Sequence, residues 1–285
     1  MSLQRLISGL QEYWSERGCY IASGYDTEVG AGTMTPDTFF RVLGKRSWRS
    51  AYWQPSRRPD DGRYGENPNR VQKHNQFQVI IKPTPPDGQA LYLDSLVYIG
   101  VDVGVHNIKF EEDDWASPSL GAWGIGWQVD CDGLEISQFT YFQQAGGVEL
   151  CPNSLEITYG LERLAMFLDQ KAGCFELEWG NGFSYRNLRH EEERQFSIYN
   201  FDAADVDFLR NLFNLCYQEA ERLVQQGLFL PAYDYLLKCS HSFNVLDARK
   251  AFSITERTTL IGLMRSMAGL IANKYIKWEE ENADA

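Results

Sequence analysis

The chain has 285 residues, of which 44% are hydrophobic and 23% charged, so it can bury a sizeable core in one large or two modest domains. No run of 18 apolar residues occurs, and the first residues lack an apolar stretch with a cleavage site, so we expect neither a transmembrane helix nor a secretory signal. The net charge of -12 argues against broad nucleic-acid binding by this chain alone, because phosphate contacts need clustered Lys and Arg.

The six cysteines lie far apart in the sequence, no Cys-x-x-Cys pair occurs, and the four histidines stand away from them. Structural zinc sites are typically built from closely spaced pairs of such ligands. We therefore expect no zinc, mostly buried thiols and a cytoplasmic location, since reducing compartments keep cysteines free.

Apolar residues at helical spacing predict a first helix from Leu3 to Trp14, ended by Gly18. A short strand is expected at residues 19–22. Three glycines and a proline indicate an irregular segment at residues 24–38.

Residues 51–83 predict a hairpin with a long loop. An aromatic strand at residues 51–54 and a β-branched strand at residues 77–82 flank a polar loop rich in Arg, Asn, Gly and Pro. A compact domain rarely keeps a loop of more than about 20 residues without a use for it. The loop is locally basic on an acidic chain, which suits a phosphate-bearing ligand. The alternative is an ordinary solvated hairpin.

The centre of the chain predicts more strands than helices. The strongest hairpin signal is the Asp132-Gly133 turn between strands at residues 127–131 and 134–143. The other expected elements are a helix at 89–99, a strand at 106–111, a Trp- and Gly-rich loop at 115–126, a strand at 155–157 and a helix at 160–168.

Helical patterns dominate from about Phe201. An apolar stripe from Val206 to Val224, a second helix opened by Pro231, and a third after a capping box that starts at Ser253 predict three helices. The fold class is therefore α+β, an antiparallel sheet flanked by helices and followed by a helical domain. We predict domains at residues 1–195 and 196–285, with a frayed tail after Trp278.

Two arginine-bearing segments could carry chemistry. Arg57 or Arg58, at the end of the first hairpin strand, can point a planar guanidinium at a phosphate, and Phe77 on the partner strand could offer a ring to a base. Arg163 lies in the first turns of the helix opened by Gly160 and can reach a phosphate that lies over a sheet. Taken singly, each segment also fits an ordinary polar surface.

A third segment could hold a metal. Glu135 and Gln138 offer oxygen ligands of the kind that Mg²⁺ prefers. Residues three apart point to opposite faces of a regular strand, so both could face one ion only at a β-bulge or at a strand end.

In this order, the strand–Arg–loop–strand unit, Glu-x-x-Gln and Gly-Leu-Glu-Arg resemble motifs 2 and 3 of class II aminoacyl-tRNA synthetases. The strings EVGAGT, QPSRRP, DGRYGENPNR, QFTYFQQ, EITYGLERLAM and HSFN narrow the resemblance to the α-subunit family of bacterial heterotetrameric glycyl-tRNA synthetases. The strings that carry it span residue 28 to about residue 251. The resemblance implies a class II synthetase-like antiparallel sheet that activates glycine with ATP to glycyl-adenylate and transfers glycine to tRNA(Gly).

The resemblance also implies residue roles. Arg57, with Arg58 as the rival one residue along, would hold the α-phosphate, and Arg163 would hold the γ-phosphate. The remaining implied residues are Glu66, Asn67, Arg70 and Phe77 for ATP, with Phe77 stacked on adenine; Glu156 for the ammonium group of glycine; and Glu135 and Gln138 for Mg²⁺ bound with ATP. We add Gln76, Gln78, Trp115 and Thr158 as further candidates for the glycine pocket.

The implied assembly is a homodimer of this chain within an α2β2 tetramer, in which a separate β subunit carries most of the tRNA(Gly) recognition. The competing hypothesis is a non-catalytic synthetase-like protein that binds a nucleotide or a partner and regulates. Loss of Arg57, Arg163 or Glu156 would favour that hypothesis, and all three are present. An aromatic-rich ligand-binding domain would not explain the ordered arginines.

Overall fold

The computed structural model describes residues 1–282. The strands are β1 (Tyr20–Ile21), β2 (Trp48–Arg57), β3 (Lys73–Lys82), β4 (Ile108–Glu112), β5 (Trp115–Ser117), β6 (Ala122–Cys131), β7 (Leu134–Ala145), β8 (Val148–Gly160), β9 (Glu178–Gly180) and β10 (Phe183–Ser184). The helices are α1 (Leu3–Glu16), α2 (Pro36–Val42), α3 (Gly88–Tyr98), α4 (Leu161–Asp169), α5 (Tyr185–Ile198), α6 (Val206–Gln225), α7 (Phe229–Ala248) and α8 (Ile254–Glu281). Short 3-10 turns lie at Gly32–Met34, Pro59–Asp61 and Cys174–Glu176, and a π-turn lies at Tyr199–Ala203.

Eight of the strands form one sheet in the order β1-β2-β3-β8-β7-β6-β4, with β5 paired to β6. Every pairing in it is antiparallel except that of β1 with β2. The β6–β7 hairpin turns at Asp132 (φ 50°) and Gly133 (φ 82°), the positive dihedrals that a two-residue hairpin turn needs. The predicted α+β class with an antiparallel sheet is confirmed.

The two faces of the sheet bury different material. Phe77, Val79 and Ile81 of β3 pack with α1, α3 and α4 in one apolar core. The next residue along, Ile80, points the other way into a second core built with α2 and the C-terminal helices. Each large apolar side chain so buried stabilises the fold by about 1.5–3 kcal/mol. The second face also carries polar residues, and these line a cavity.

The segment at residues 115–126 is not the predicted loop, because it contains β5 and the first half of β6. Its glycines are there for close packing. A Cβ on Gly124 would lie 2.5 Å from Thr140 Cγ2, and one on Gly126 would lie 2.8 Å from the Asp113 carbonyl oxygen. Glycine therefore leaves room for Thr140 of β7 and for the Asp113 backbone beside β6, where β5 adds to the edge of the sheet. Helices α2 and α5 are further elements that the sequence patterns did not predict.

The three predicted C-terminal helices are confirmed as α6, α7 and α8, and Ser253 Oγ caps α8 by accepting from the Glu256 N–H at 3.2 Å. These helices share a core with the sheet: Tyr233 of α7 stacks on Phe39 of α2 with ring centroids 4.4 Å apart. The division into domains at 195/196 stays a prediction. Helix α8 continues to Glu281, and the last three residues of the predicted frayed tail lie outside the described residues.

A buried lysine joins three elements near the end of β3. The Lys82 ammonium group donates to the carbonyl oxygens of Val42 (3.1 Å), Leu43 (2.6 Å) and Gly44 (2.7 Å), which end α2. Desolvation lowers the pKa of Lys82 to about 8, although Glu279 of α8 acts in the opposite direction. The lysine therefore satisfies carbonyl groups that the end of the helix leaves free.

We expect Lys82→Met to destabilise the protein by about 3 kcal/mol, since it strands buried carbonyl groups without a donor. Urea unfolding measures the change. Lys45→Met, at an exposed position on the same connection, is the control and should shift the unfolding free energy by less than about 0.5 kcal/mol. Equal effects of the two substitutions would contradict the assigned role.

Among residues 1–282, no helix is long and apolar enough to cross a membrane.

Candidate active site

The polar part of the second sheet face opens into a cavity of about 410 Å³. Strands β3, β7 and β8 form its floor, and the segment before α2, the turn after β2 and the start of α4 form its walls. The residues proposed from the sequence that line it are Arg58, Arg70, Gln76, Trp115, Glu135, Gln138, Glu156, Thr158 and Arg163. Arg58 and Met166 lie 108 positions apart in the sequence, and both line this cavity because the folded sheet brings them together.

Phe77 does not reach this cavity. Its side chain is fully buried in the opposite core, where its ring meets Tyr159 edge-on with centroids 6.2 Å apart. Successive side chains of a strand alternate, so Phe77 cannot share a face with Gln76 and Gln78. The stacking role expected for Phe77 therefore has no geometric basis, because no ligand in the cavity can touch this ring.

The choice between Arg57 and Arg58 follows from the same alternation. The Arg57 guanidinium lies over the Phe196 ring of α5, 4.9 Å from its centroid, and does not line the cavity. Arg58 lines the cavity, and its Nε donates to the Gly30 carbonyl oxygen at 3.0 Å. Arg58 is therefore the member of the pair that can meet a ligand there.

Glu66 and Asn67 sit on the outer part of the β2–β3 loop, away from the cavity. Glu66 is exposed, and Asn67 Oδ1 accepts from the Asn69 N–H at 2.8 Å in a local turn. Arg70 is exposed at the cavity rim and pairs with Asp61 at 3.0 Å. The structure thus brings one of the three expected loop residues to the site.

A buried carboxylate holds the two ends of this loop. One oxygen of Glu193 accepts from the Arg63 N–H at 3.1 Å and the other from the Gln72 N–H at 2.8 Å. Burial raises the pKa of Glu193, and these donors act against that rise. The loop therefore spans a fixed gap beside the cavity.

Strand β7 contains the bulge that the metal hypothesis requires. Asp130 pairs with Glu135 and Val129 pairs with Ser137, so Ile136 is one extra residue without a partner. The bulge turns both Glu135 and Gln138 toward the cavity. Gln138 Nε2 donates to the Asp113 carbonyl oxygen at 2.9 Å, and Glu135 forms an ion pair with Arg163.

Within residues 1–282 no cluster of three His, Cys, Asp or Glu side chains could hold a metal ion alone. The oxygen donors of Asp113, Glu135 and Gln138 border the same cavity. Such a set fits Mg²⁺, which commonly binds through one or two carboxylates together with substrate phosphates. It does not fit zinc, which prefers nitrogen and sulfur ligands.

Glu156 is a carboxylate among polar side chains at the cavity floor, where it is only 1% exposed. It accepts from Thr33 Oγ1 at 2.6 Å and from Gln78 Nε2. Burial raises the pKa of Glu156 to about 7, although both donors lower it. No basic side chain in the described part of the chain forms an ion pair with it. The pocket can therefore accept a cation.

The remaining glycine-pocket candidates are arranged around Glu156. Thr158 Oγ1 donates to Gln78 Oε1 at 2.7 Å, which orients the amide whose nitrogen meets Glu156. Gln76 Oε1 accepts from the Gly32 N–H at 2.8 Å. A Cβ on Gly32 would lie 2.8 Å from Gln78 Oε1, so glycine is needed where this segment covers the pocket.

His74 is a cavity residue that the sequence reasoning missed. Burial, with Arg58 and Arg163 nearby, holds the pKa of His74 far below its ordinary value, so the ring is neutral at physiological pH. The sequence contained a signal for this residue, because His74, Gln76 and Gln78 are spaced two apart along β3 and therefore share one face. Thr33, at the end of EVGAGT, and Asp113 are further cavity residues to which the sequence patterns assigned no role.

An antiparallel sheet, a cavity lined by three arginines and a bulged strand with oxygen ligands match the arrangement expected of motifs 2 and 3. This fold and site define a class II aminoacyl-tRNA synthetase. A sequence model of the family described as "Glycyl-tRNA synthetase alpha subunit" matches residues 3–280, nearly the whole chain, and the chain therefore belongs to that family. It is an aminoacyl-tRNA ligase subunit with a catalytic role in charging tRNA with glycine, and not the non-catalytic regulator considered above.

Two solved structures of pyrrolysyl-tRNA synthetase from Desulfitobacterium hafniense are similar to this chain over part of its length. One has 11% identity and a TM-score of 0.43 and covers 64% of this chain and 74% of its own. The other has 10% identity and a TM-score of 0.41 and covers 64% and 75%.

Proposed function

We propose that the cavity activates glycine, with the ammonium group of glycine against Glu156 and the triphosphate of ATP between Arg58 and Arg163. The observation that carries this proposal is the buried carboxylate of Glu156, which has no cationic partner among residues 1–282 and faces the same cavity as Arg58 and Arg163. A buried carboxylate is costly unless it is paired, so the pocket selects a small cationic ligand. Thr158, Gln76, Gln78 and Trp115 surround the space that remains for the glycine backbone.

Exclusion of larger amino acids would be steric. Trp115 packs against Phe142 with ring centroids 5.5 Å apart, which fixes one wall, and the Gly32 segment closes on Gln78 from the other side. One added methyl group is worth only about 1–3 kcal/mol in a flexible apolar pocket. Walls that cannot move raise that penalty, because the extra methyl must then overlap them.

The chemistry needs positioning and charge more than a proton acceptor. A carboxylate oxygen of glycine attacks the α-phosphorus of ATP, the bond from that phosphorus to the bridging oxygen breaks, and pyrophosphate leaves. Arg58 would stabilise the charge at the α-phosphate and Arg163 the charge at the far end of the triphosphate. A terminal ribose hydroxyl of tRNA then attacks the carbonyl carbon of the adenylate, and AMP leaves.

Mg²⁺ would be held by Glu135 and Gln138 together with the phosphates, and when bound it neutralises phosphate charge. In the described state Glu135 is paired with Arg163. Binding of ATP would then exchange that ion pair for contacts of each partner with the triphosphate. His74, a neutral planar ring on the same wall, is the side chain that we propose in place of Phe77 to contact the adenine.

We further propose that two copies of this chain assemble with two β subunits, and that the β subunit makes most of the contacts to tRNA(Gly). The family implies a β partner and tRNA. The net charge of -12 supports leaving the tRNA body to another chain, because a polyanion is repelled by an acidic surface. A cytoplasmic location fits the free cysteines and is part of the same proposal.

Glycine-dependent exchange of pyrophosphate into ATP tests the activation step, measured with and without a co-expressed β chain. Arg163→Ala should lower this exchange by about 10³-fold, because the arginine contacts charge that develops in the reaction. Arg5→Ala, at an exposed position of α1, is the control and should leave exchange unchanged. Full exchange in Arg163→Ala would refute its assignment to the triphosphate.

A further inference from the structure

Strand β3 extends past the end of its neighbour at the edge of the cavity. The pairing of β3 with β8 runs from Ile81 opposite Leu155 to Gln76 opposite Gly160. Strand β8 then ends, and the chain turns into α4 at Leu161. The first residues of β3 therefore lie beyond the last strand partner on this side. A buried N–H group there would be costly unless something replaced the missing strand.

The carboxylate of Glu162, in the first turn of α4, takes that place. The Asn75 backbone N–H donates to both of its oxygens, at 2.9 and 3.0 Å, and Asn75 Nδ2 donates to Oε1 at 2.6 Å. The Tyr185 hydroxyl of α5 donates to the same oxygen at 2.9 Å. Glu162 is 6% exposed, so these bonds are protected from water. Four hydrogen bonds leave its carboxylate committed to the protein.

Asn75 is itself held from the opposite side, since Trp53 Nε1 donates to Asn75 Oδ1 at 2.9 Å. Its neighbours in sequence, His74 and Gln76, both line the cavity. Arg163, the residue after Glu162, lines the cavity from α4. One carboxylate therefore sets the distance between the cavity edge of β3 and the helix turn that carries Arg163.

We propose that Glu162 is a positioning residue for ATP, which holds His74 and Arg163 at the separation that one bound nucleotide spans. The inference rests on the proposed function of the cavity. Glu162 also borders the cavity, but its oxygens are bonded to Asn75 and Tyr185, so it acts through Asn75 and through the first turn of α4. Glu156 lies where β3, β8 and β7 are fully paired, so the glycine pocket keeps its geometry without Glu162.

This division predicts a split between the two substrates. In Glu162→Gln the amide nitrogen faces an N–H donor and one of the bonds to Asn75 is lost. We expect KM for ATP in pyrophosphate exchange to rise about tenfold, while KM for glycine changes less than about twofold. Tyr185→Phe removes a donor that comes from α5 and keeps the bonds to Asn75, and it should leave both KM values within about twofold.

Binding of α,β-methylene-ATP, measured by calorimetry without glycine, keeps this inference separable from the proposed function. We expect its Kd to rise about tenfold in Glu162→Gln. If the wild-type protein binds this analogue but shows no glycine-dependent exchange, the proposed function fails. The role of Glu162 in ATP binding is then still decided by the ratio of the Kd values of Glu162→Gln and the wild type. Equal Kd values in wild type and Glu162→Gln, or equal changes in KM for ATP and glycine, would overturn the positioning role. Thermal unfolding of each variant confirms that the folded fraction is the same.

Discussion

Glu156→Gln should nearly abolish glycine activation and at the same time stabilise the protein above neutral pH. The substitution keeps the shape of the side chain and can still accept from Thr33, but it removes the charge that would meet the glycine ammonium group. Loss of one partner from a buried ion pair costs about 3–5 kcal/mol. We therefore expect KM for glycine to rise by about 10²- to 10³-fold, with KM for ATP within about threefold of wild type.

The stability gain follows from the pKa of Glu156, which burial raises from 4.5 to about 7. The folded protein then binds this proton more tightly than the unfolded chain does. The stabilisation that comes from protonated Glu156 is complete below the pKa that this carboxyl has in the unfolded chain. It is lost as the pH rises through its folded-state pKa of about 7. The free energy of unfolding of the wild type should fall over this range by an amount on the order of 2 kcal/mol, and that of Glu156→Gln should not.

Urea unfolding at pH 5 and pH 8 measures the difference, with Glu149→Gln as the control at an exposed position of the same strand. The control should follow the wild type in both stability and exchange. The wild-type KM for glycine should also decrease as the pH rises through about 7, because ionised Glu156 binds the ammonium group. If Glu156→Gln leaves KM for glycine unchanged, the ammonium role is ruled out. If the free energy of unfolding of Glu156→Gln at pH 8 is lower than that of the wild type, the cost of the buried charge is ruled out.

Arg58→Ala and Arg57→Ala should differ sharply although the residues are adjacent. Arg58 lines the cavity, and its loss should lower exchange by about 10³-fold through the α-phosphate. Arg57 lies over Phe196, so its loss removes a cation–π contact worth about 1 kcal/mol and should lower exchange less than about threefold. Steady-state exchange kinetics with both variants decide the register. A larger loss in Arg57→Ala would mean that the loop rearranges before ATP binds.

Most of the proposed site residues that line the cavity stand in a motif whose order along the chain is informative, as Glu135 and Gln138 do on β7 and Arg163 does at the start of α4. The parity objection to Glu135 and Gln138 was sound, and the bulge at Ile136 answers it. A bulge leaves little trace in a single sequence, because the extra residue here is an ordinary apolar one.

Phe77 shows the opposite case. Its position beside the basic loop favours base stacking, but strand alternation places it in the apolar core. The conflict between Phe77 and its neighbours Gln76 and Gln78 was visible in the sequence. Deciding which side faced the ligand required knowing which face α1, α3 and α4 cover, and that depends on contacts between distant parts of the chain.

Sequence patterns alone predicted most of the long helices and strands, the antiparallel hairpin at Asp132-Gly133, the family resemblance and the charged residues proposed for the site. These depend on local periodicity, on turn chemistry and on the order of motifs, all of which are properties of neighbouring residues. Tertiary contacts were needed to tell which arginine faces the cavity, that Glu156 is buried with no cationic partner in the described part of the chain, and that Glu162 replaces a missing strand. Those facts depend on which face of each strand is covered and where neighbouring strands end. The folded sheet settles both by bringing residues far apart in sequence into contact.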